Sequence, residues 1–184
     1  METSIIIAGF GGQGVLFAGQ VLAYAAMDAG RHVTWIPSYG PEMRGGTANC
    51  TVIIADEPIG APIVDRADIA IVLNMPSFEK YEPLVKPGGL LIVNSAIITA
   101  RSERDDIGVI YVPANLIAEE LGSAKMLNMV VVGALLGARP ILSQEQLEQS
   151  LRDHLPASKQ HMLEANMQVL QRGFAAAQGM AAAA

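Results

Sequence analysis

The sequence predicts an α/β fold in which a mostly parallel sheet is flanked by helices. Runs of β-branched residues alternate with helical patterns through the first two thirds of the chain, which is typical of this class. The first apolar run, at residues 5–8, breaks on glycines and passes directly into a long helical pattern. With 184 residues, of which 51% are hydrophobic and 16% charged, the chain is large enough for one well-formed core.

Each element is predicted from its own pattern. Strands are expected at residues 4–8, 31–36, 47–55, 69–73, 90–93 and 109–112, and helices at residues 13–29, 76–85, 113–121, 125–138, 143–155 and 158–172. Ser143 and Gln146 have the spacing of a capping box. The run 130–132 is valine only, which leaves a strand open as an alternative for that buried helix. Together the elements predict one three-layer, Rossmann-like domain over residues 1–175, followed by a disordered alanine-rich tail at 176–184.

Composition argues against several classes of function. The net charge of −6, without any basic run, is unsuited to nucleic acid, which requires clustered lysine and arginine. The longest uncharged apolar stretch, at residues 126–138, is shorter than the ~20 residues that span a bilayer. The single cysteine, Cys50, and an acidic N-terminus favour a cytoplasmic protein. The three histidines lack metal-ligand spacing, so no metal ligand is assigned. No catalytic residue is assigned either.

Two predicted helices, at 13–29 and 125–138, carry more apolar surface than an ordinary surface helix. We expect this surface to be covered by partner chains, and a homodimer to form when the chain is isolated.

The turn after the first strand carries the most specific pattern. Gly9, Gly11 and Gly14 fit G-x-G-x-x-G, with Gly12 and Gln13 between them. A helix that begins there points free N–H groups at an anion such as phosphate. Dinucleotide binding also needs a carboxylate at the end of the second strand, where the sequence has Trp-Ile-Pro-Ser instead. The turn is therefore also consistent with a tight strand–helix connection that binds no ligand.

The loop at residues 37–46 supplies a second motif. It reads Pro-Ser-Tyr-Gly-Pro-Glu-Met-Arg-Gly-Gly and runs into Thr-Ala-Asn-Cys. Together with Gly-Phe-Gly-Gly-Gln-Gly in the first turn, it resembles the gamma subunit, or gamma domain, of the 2-oxoacid:ferredoxin oxidoreductases of the pyruvate and 2-oxoglutarate synthase group. The similarity covers most of the chain and includes Asp-Glu-Pro-Ile at 56–59 and the pattern Lys125, Asn128, Gly133-Ala134.

The resemblance implies a subunit of an enzyme that oxidatively decarboxylates a 2-oxoacid to an acyl-CoA and passes electrons to ferredoxin. It implies thiamine diphosphate and iron–sulfur clusters on alpha and beta subunits, with a delta or ferredoxin-like subunit as a further candidate partner. In this family the gamma part contributes to assembly and to the coenzyme A region. The sequence of the second loop is most similar to that of 2-oxoglutarate-type members. The expected coenzyme A contacts are Gly9, Gly11, Gly12, Gln13, Gly14, Ser38, Tyr39, Gly40, Arg44 and Gly45.

Several of these residues have a second interpretation. Arg44 suits a phosphate through its guanidinium but suits equally an ion pair with Glu42 or a partner. Ser38 and Tyr39 are also typical of a turn serine and a packed tyrosine, and Asn128 either ties down a loop or reaches the site. Two other functions compete with the subunit: a stand-alone dinucleotide-dependent reductase and a structural adaptor without ligand. One cysteine and no Gly-Asp-Gly indicate an incomplete catalyst in any case.

Overall fold

The six strands form a single sheet in the computed structural model, which describes residues 1–40 and 46–181. The order across the sheet is β2-β3-β1-β4-β5-β6. The strands are β1 Glu2–Phe10, β2 His32–Tyr39, β3 Thr47–Ala55, β4 Ala67–Val72, β5 Val85–Asn94 and β6 Gly108–Val112. The helices are α1 Val15–Asp28, α2 Met75–Tyr81, α3 Ala114–Glu120, α4 Leu127–Ala138, α5 Gln144–His154 and α6 Leu163–Ala181. Short 3-10 segments at Glu82–Leu84, Ala124–Met126 and Ala157–Met162 connect them.

Strand β3 is the one strand of this sheet that runs against the others. It pairs antiparallel with both β1 and β2, whereas β1–β4, β4–β5 and β5–β6 are parallel. The carboxyl ends of β1, β2, β4, β5 and β6 therefore meet at one edge, together with the amino end of β3. The predicted α/β class with a mostly parallel sheet is confirmed, and this edge is where such sheets bind ligands.

The two faces of the sheet are covered unequally. One apolar cluster joins alternate strand residues such as Ile5 and Ile71 to α1, α3, α4, α5 and α6. On the other face a smaller cluster joins Ile6 and Val72 to Phe78 and Tyr81 of α2 and to the chain around Ile98. The structure thus has three layers, with five helices on one side and α2 on the other.

Helices α4 and α6 cross at very short range. A Cβ added to Gly133 would lie 2.0 Å from the Leu170 carbonyl oxygen, and one added to Gly173 would lie 2.0 Å from the Val130 carbonyl oxygen. Gly137 meets the Phe174 carbonyl oxygen in the same way, at 2.5 Å. Glycine at these positions lets the two backbones approach, which buries α4 almost completely.

For α4 the expectation of a covering partner chain is wrong, whereas for α1 this chain provides part of the cover and Met27 remains 52% exposed. Helix α6 covers α4, whose Val130 and Leu135 are fully buried within this chain. Helix α5 covers α1: the Tyr24 and His154 rings stack with centroids 4.3 Å apart, and His154 Nε2 lies 2.9 Å from Asp28. The sequence shows that the apolar surface of a helix must be buried, but not whether this chain or a partner chain buries it.

Several element bounds differ from the predicted ones, and three of these differences have a clear physical reason. Strand β2 continues through Pro37 to Tyr39, because on an edge strand a missing N–H need not break the sheet ladder. Strand β5 begins at Val85 and includes residues 87–89 across a register shift against β4, whereas a stop was expected there. Helix α6 continues to Ala181 instead of ending at Arg172, since alanine favours helix and Ala177 is buried. None of the helices within the described ranges is long and apolar enough to cross a membrane.

Candidate functional site at the carboxyl edge of the sheet

The β1–α1 turn depends on glycine at two positions. Gly12 has a φ of 99° and Gly14 a φ of 74°, which other residues rarely adopt. Gly14 is also the N-cap of α1, and no side chain caps the first turn of the helix. Its carbonyl accepts a hydrogen bond from Ala18 N–H at 3.0 Å. The first turn of α1 therefore presents backbone N–H groups and the positive end of the helix dipole at this edge.

Gln13 holds the turn together. Its Oε1 accepts a hydrogen bond from Phe10 N–H at 2.6 Å, and its Nε2 donates to the Leu73 carbonyl at 3.2 Å. The Gln13 N–H donates to the Phe10 carbonyl at 3.1 Å. The side chain that the sequence placed among the ligand contacts thus connects the turn to the end of β4.

Asn128 fixes the turn from the helix layer. Its Nδ2 donates to the Gly14 carbonyl at 3.2 Å, so of the two roles left open for this buried amide the structure shows the structural one. A Cβ on Gly14 would lie 2.6 Å from that same Nδ2, and a Cβ on Gly9 would lie 2.6 Å from Gln13 Oε1. Gly9 and Gly14 are therefore packed inside the chain, whereas Gly12 is exposed, with nothing within 4 Å of an added Cβ.

The two sequence motifs meet at this edge. Gly11 N–H donates to the Gly46 carbonyl at 2.9 Å, which joins the glycine turn to the end of the second motif. On the β2 side, Gly40 N–H donates to the Thr47 carbonyl at 2.7 Å. The antiparallel β3 produces this arrangement, because it starts where β1 and β2 end. The expected contacts Arg44 and Gly45 lie between these bonds in the sequence but outside the described residues.

Ser38 and Tyr39 are the last residues of β2, not residues of a turn as expected. They pair with Asn49 and Ala48 of β3, and these pair in turn with Ala8 and Gly9 of β1. Directly opposite residues share a face, so Ser38 lies on the α2 face and Tyr39 on the α1 face. Tyr39 is 64% exposed, so it is not a packed tyrosine.

A cavity of about 120 Å³ that the sequence did not predict opens beside the two motifs, on the α2 face. Its polar lining consists of Thr47 and Asn49 from β3 and Ser77 and Lys80 from α2. Lys80 is exposed, belongs to none of the ion pairs among the described residues, and its Nζ lies 5.0 Å from the Tyr81 ring centroid. The cavity joins residues about 30 positions apart, which no local pattern connects.

The position of α2 explains how Lys80 reaches this edge. Asn74 lies two residues after the end of β4 and caps the helix, its Oδ1 accepting from Ser77 N–H at 2.9 Å. Asn74 is 1% exposed, and its Nδ2 has no partner among the described residues. The sequence did carry a signal for this helix start: a capping asparagine just after a strand, with Lys80 six residues later.

Cys50 is a core residue. It is fully buried in β3, its Sγ contacts the Val15 carbonyl at 3.5 Å, and a Cβ on Gly19 would lie 2.4 Å from that sulfur. Burial raises the pKa of Cys50 to about 12, so the thiol stays protonated at neutral pH. Within the ranges the structure describes, no three His, Cys, Asp or Glu side chains cluster as metal ligands.

Similarity to known proteins covers nearly the whole chain. Residues 4–176 match the family described as pyruvate ferredoxin/flavodoxin oxidoreductase. The ketoisovalerate oxidoreductase subunit VorA of Methanothermobacter thermautotrophicus is 38% identical over 94% of this chain, but the chain spans only 36% of that relative. The 2-oxoglutarate synthase subunit KorC of Methanocaldococcus jannaschii is 33% identical over 95% of this chain and 93% of its own length.

Two solved structures have the same fold. The gamma subunit of a keto/oxoacid ferredoxin oxidoreductase from Geobacter sulfurreducens matches with a TM-score of 0.85 and 28% identity, over 97% of this chain and 98% of that one. The 2-oxoglutarate:ferredoxin oxidoreductase of Magnetococcus marinus, with 2-oxoglutarate, coenzyme A and succinyl-CoA bound, matches with a TM-score of 0.88 and 25% identity, over 97% of this chain and 31% of that one. The chain therefore belongs to the pyruvate ferredoxin/flavodoxin oxidoreductase family, in which it corresponds to the gamma subunit of a 2-oxoacid:ferredoxin oxidoreductase.

Proposed function

We propose that the chain acts in a multisubunit enzyme that oxidatively decarboxylates a 2-oxoacid to an acyl-CoA, with electrons passing to ferredoxin. The observation that carries the proposal is the structural match over 98% of a solved gamma subunit of a keto/oxoacid ferredoxin oxidoreductase. Alpha and beta subunits, and a delta or ferredoxin-like subunit, are the proposed partners. The location proposed with this activity is the cytoplasm.

The redox cofactors belong, in this proposal, to the partner subunits. A single cysteine cannot supply the four thiolates that an iron–sulfur cluster requires, and the sequence contains no Gly-Asp-Gly for the metal of thiamine diphosphate. Those groups would supply the decarboxylation and the electron transfer. The residues of this chain would bind and orient the carrier of the acyl group.

We place the coenzyme A contacts at the carboxyl edge of the sheet. Gly12 is exposed beside the uncapped start of α1, a setting that favours a phosphate, while Gly11, whose N–H is bonded to the Gly46 carbonyl, would keep the two motifs together. Lys80 adds a cation from the α2 side of the same edge, and Arg44 of the second motif is the other candidate. Gly9, Gly14 and Gln13 would act indirectly, by keeping the turn in shape, while Ser38, Tyr39 and Gly40 would border the site on the β2 side. A coenzyme A-bound relative with this fold supports the assignment.

The 2-oxoacid that we propose is 2-oxoglutarate. The similarity to KorC extends over 93% of that subunit and supports this choice, whereas VorA, of which 36% is matched, is named for ketoisovalerate. Activity of the assembled enzyme with 2-oxoglutarate, ketoisovalerate, pyruvate and indolepyruvate would decide between them. A higher kcat/KM for any acid other than 2-oxoglutarate would contradict the substrate proposal and leave the subunit assignment unaffected.

Two experiments test the subunit and its site. Purification of the tagged chain with its neighbouring gene products should yield a complex that contains thiamine diphosphate and iron. In that complex, calorimetry should show coenzyme A binding at least about tenfold more weakly for Arg44→Ala or Lys80→Ala, because each change removes a charge-assisted bond to phosphate. Arg66→Ala, which changes an exposed arginine before the amino end of β4, is the matched control and should bind normally.

A structural adaptor is the second candidate function. It is favoured by the internal bonds of Gln13 and Asn128, which account for the polar side chains at the turn without any ligand. Equal coenzyme A affinity in the wild-type, Arg44→Ala and Lys80→Ala complexes would support the adaptor and contradict the coenzyme A site.

A further inference from the structure

A groove runs along α1 on the side away from the sheet, where α5 and the 3-10 segment Ala157–Met162 pack against it. It consists of two neighbouring cavities of about 260 Å³ and about 180 Å³. Phe17, Leu155 and Lys159 line both cavities, so the two adjoin. We call this feature the α1–α5 groove. Its ends, near Gly14 and near Tyr24, are separated by ten residues of helix, or about 15 Å.

The floor of the larger cavity is apolar but contains one polar atom without a partner. Phe17, Val21, Leu151 and Leu155 form the apolar part. Ser150 also lines this cavity, is 2% exposed, and its Oγ has no hydrogen-bond partner among the described residues. An unpaired buried hydroxyl is unfavourable unless something bonds to it. The rest of this wall is apolar and suits the apolar body of a bound molecule.

The charges that line the groove are all of one sign, although the whole chain has a net charge of −6. Lys125 lies in the smaller cavity and Lys159 in both, and no described Asp or Glu lines either one. His154 lies at the far end, where it pairs with Asp28 behind it. Neither lysine takes part in any ion pair among the described residues. A negative group would therefore find its counter-charge in the smaller cavity.

We propose that the α1–α5 groove binds a small organic anion with an apolar body, such as a medium-chain or aromatic carboxylate. The carboxylate lies between Lys125 and Lys159, and the apolar part lies over Phe17, Val21 and Leu151. The larger cavity is separate from the proposed coenzyme A contacts, because it lies in the helix layer on α5, whereas the smaller cavity adjoins the glycine turn through Gly14. The inference does not depend on the proposed function.

Calorimetry of the purified full chain with octanoate tests the proposal. Octanoate should bind, and octylammonium, which has the same chain with the opposite charge, should bind at least about tenfold more weakly. Lys159→Met should weaken octanoate binding about fivefold, as expected for the loss of one partly exposed ion pair. The double variant Lys125→Met/Lys159→Met should weaken octanoate binding more than either single variant does. Lys86→Met, near the amino end of β5, lies outside the groove, should leave the octanoate affinity unchanged and serves as the charge control.

A second variant tests the apolar part. Val21→Phe adds bulk to the floor and should abolish octanoate binding, with a far-ultraviolet circular dichroism spectrum and unfolding transition that show the chain still folded. Equal affinity for octanoate and octylammonium, or unchanged octanoate affinity in the two-lysine variant, would overturn the proposal. So would a concentration-dependent dimer, detected by sedimentation, that Val21→Phe abolishes, because a second copy of the chain would then occupy the groove.

Discussion

Glycine serves two different purposes in the two regions where it is most concentrated in this chain. At the α4–α6 crossing, Gly133 and Gly173 face backbone atoms at 2.0 Å from an added Cβ, and both have ordinary helical conformation. In the β1–α1 turn, Gly12 has open space around it, but its φ of 99° excludes most other residues. Space is the limiting factor in the first region and backbone conformation in the second. A substitution should therefore have a different cost and a different remedy in each.

Gly133→Ala should have the largest effect. The new methyl group would meet the Leu170 backbone carbonyl, which cannot rotate away, so α4 and α6 must separate along the most buried helix of the chain. We expect the free energy of unfolding to fall by about 3 kcal/mol, the upper part of the range for overpacked cores. Urea denaturation followed by circular dichroism measures this change. A loss no larger than that of an exposed glycine substitution would show that the crossing is looser than described.

Gly14→Ala should cost less, about 2 kcal/mol, because its methyl group meets the end of the Asn128 side chain, which can move, while its φ of 74° is strained. Gly30→Ala separates the two contributions. Gly30 has a φ of 76° with nothing within 4 Å of an added Cβ, so that variant reports backbone strain alone. Equal losses in the two variants would mean that the Asn128 contact contributes nothing.

Gln13→Ala should destabilise the chain by about 1.5 kcal/mol, since it leaves Phe10 N–H and the Leu73 carbonyl without their partner. Gln20→Ala, in the adjoining helix α1, loses only a 3.3 Å contact with the Tyr24 hydroxyl and is the matched control. Hydrogen exchange should show faster exchange of Phe10 N–H in Gln13→Ala. Unchanged exchange there would contradict the bridging role.

Gly179→Ala should have the smallest effect, and in the opposite direction. This glycine lies within α6, is exposed, and has nothing within 4 Å of an added Cβ. Alanine should then stabilise the helix by about 0.5–1 kcal/mol, through the lower backbone entropy of the unfolded chain. Thermal unfolding would detect the increase. A decrease would indicate that this position has a contact of the kind seen at Gly133.

Features that depend on neighbouring residues could be predicted from the sequence, whereas features that depend on distant segments could not. Strand β3 was predicted at its observed bounds, residues 47–55, and the capping box of Ser143 and Gln146 is confirmed, because alternation and capping are local. The extension of β2 through Pro37 depends on its position at the sheet edge, which the sequence does not state. The close crossing of α4 and α6 also depends on two segments about 40 residues apart.

The candidate site was predictable in part for the same reason. The glycine turn and the second motif were identified from their residues, and the bond from Gly11 to Gly46 confirms that they meet. The internal role of Gln13 could not be predicted, because its partner Leu73 lies 60 residues away. Lys80 was missed because its position at this edge depends on the pairing of β4 with β1, which places α2 there.

The reversed direction of β3 has a consequence for how the site can change. The segment between Gly40 and Gly46 connects two neighbouring antiparallel strands, so residues inserted there would lengthen the connection without moving either strand. The glycine turn allows no such insertion, since Gln13 and Asn128 hold it at a fixed length from both sides. One part of the candidate site is thus fixed in length, whereas insertions between β2 and β3 would change the length of the other.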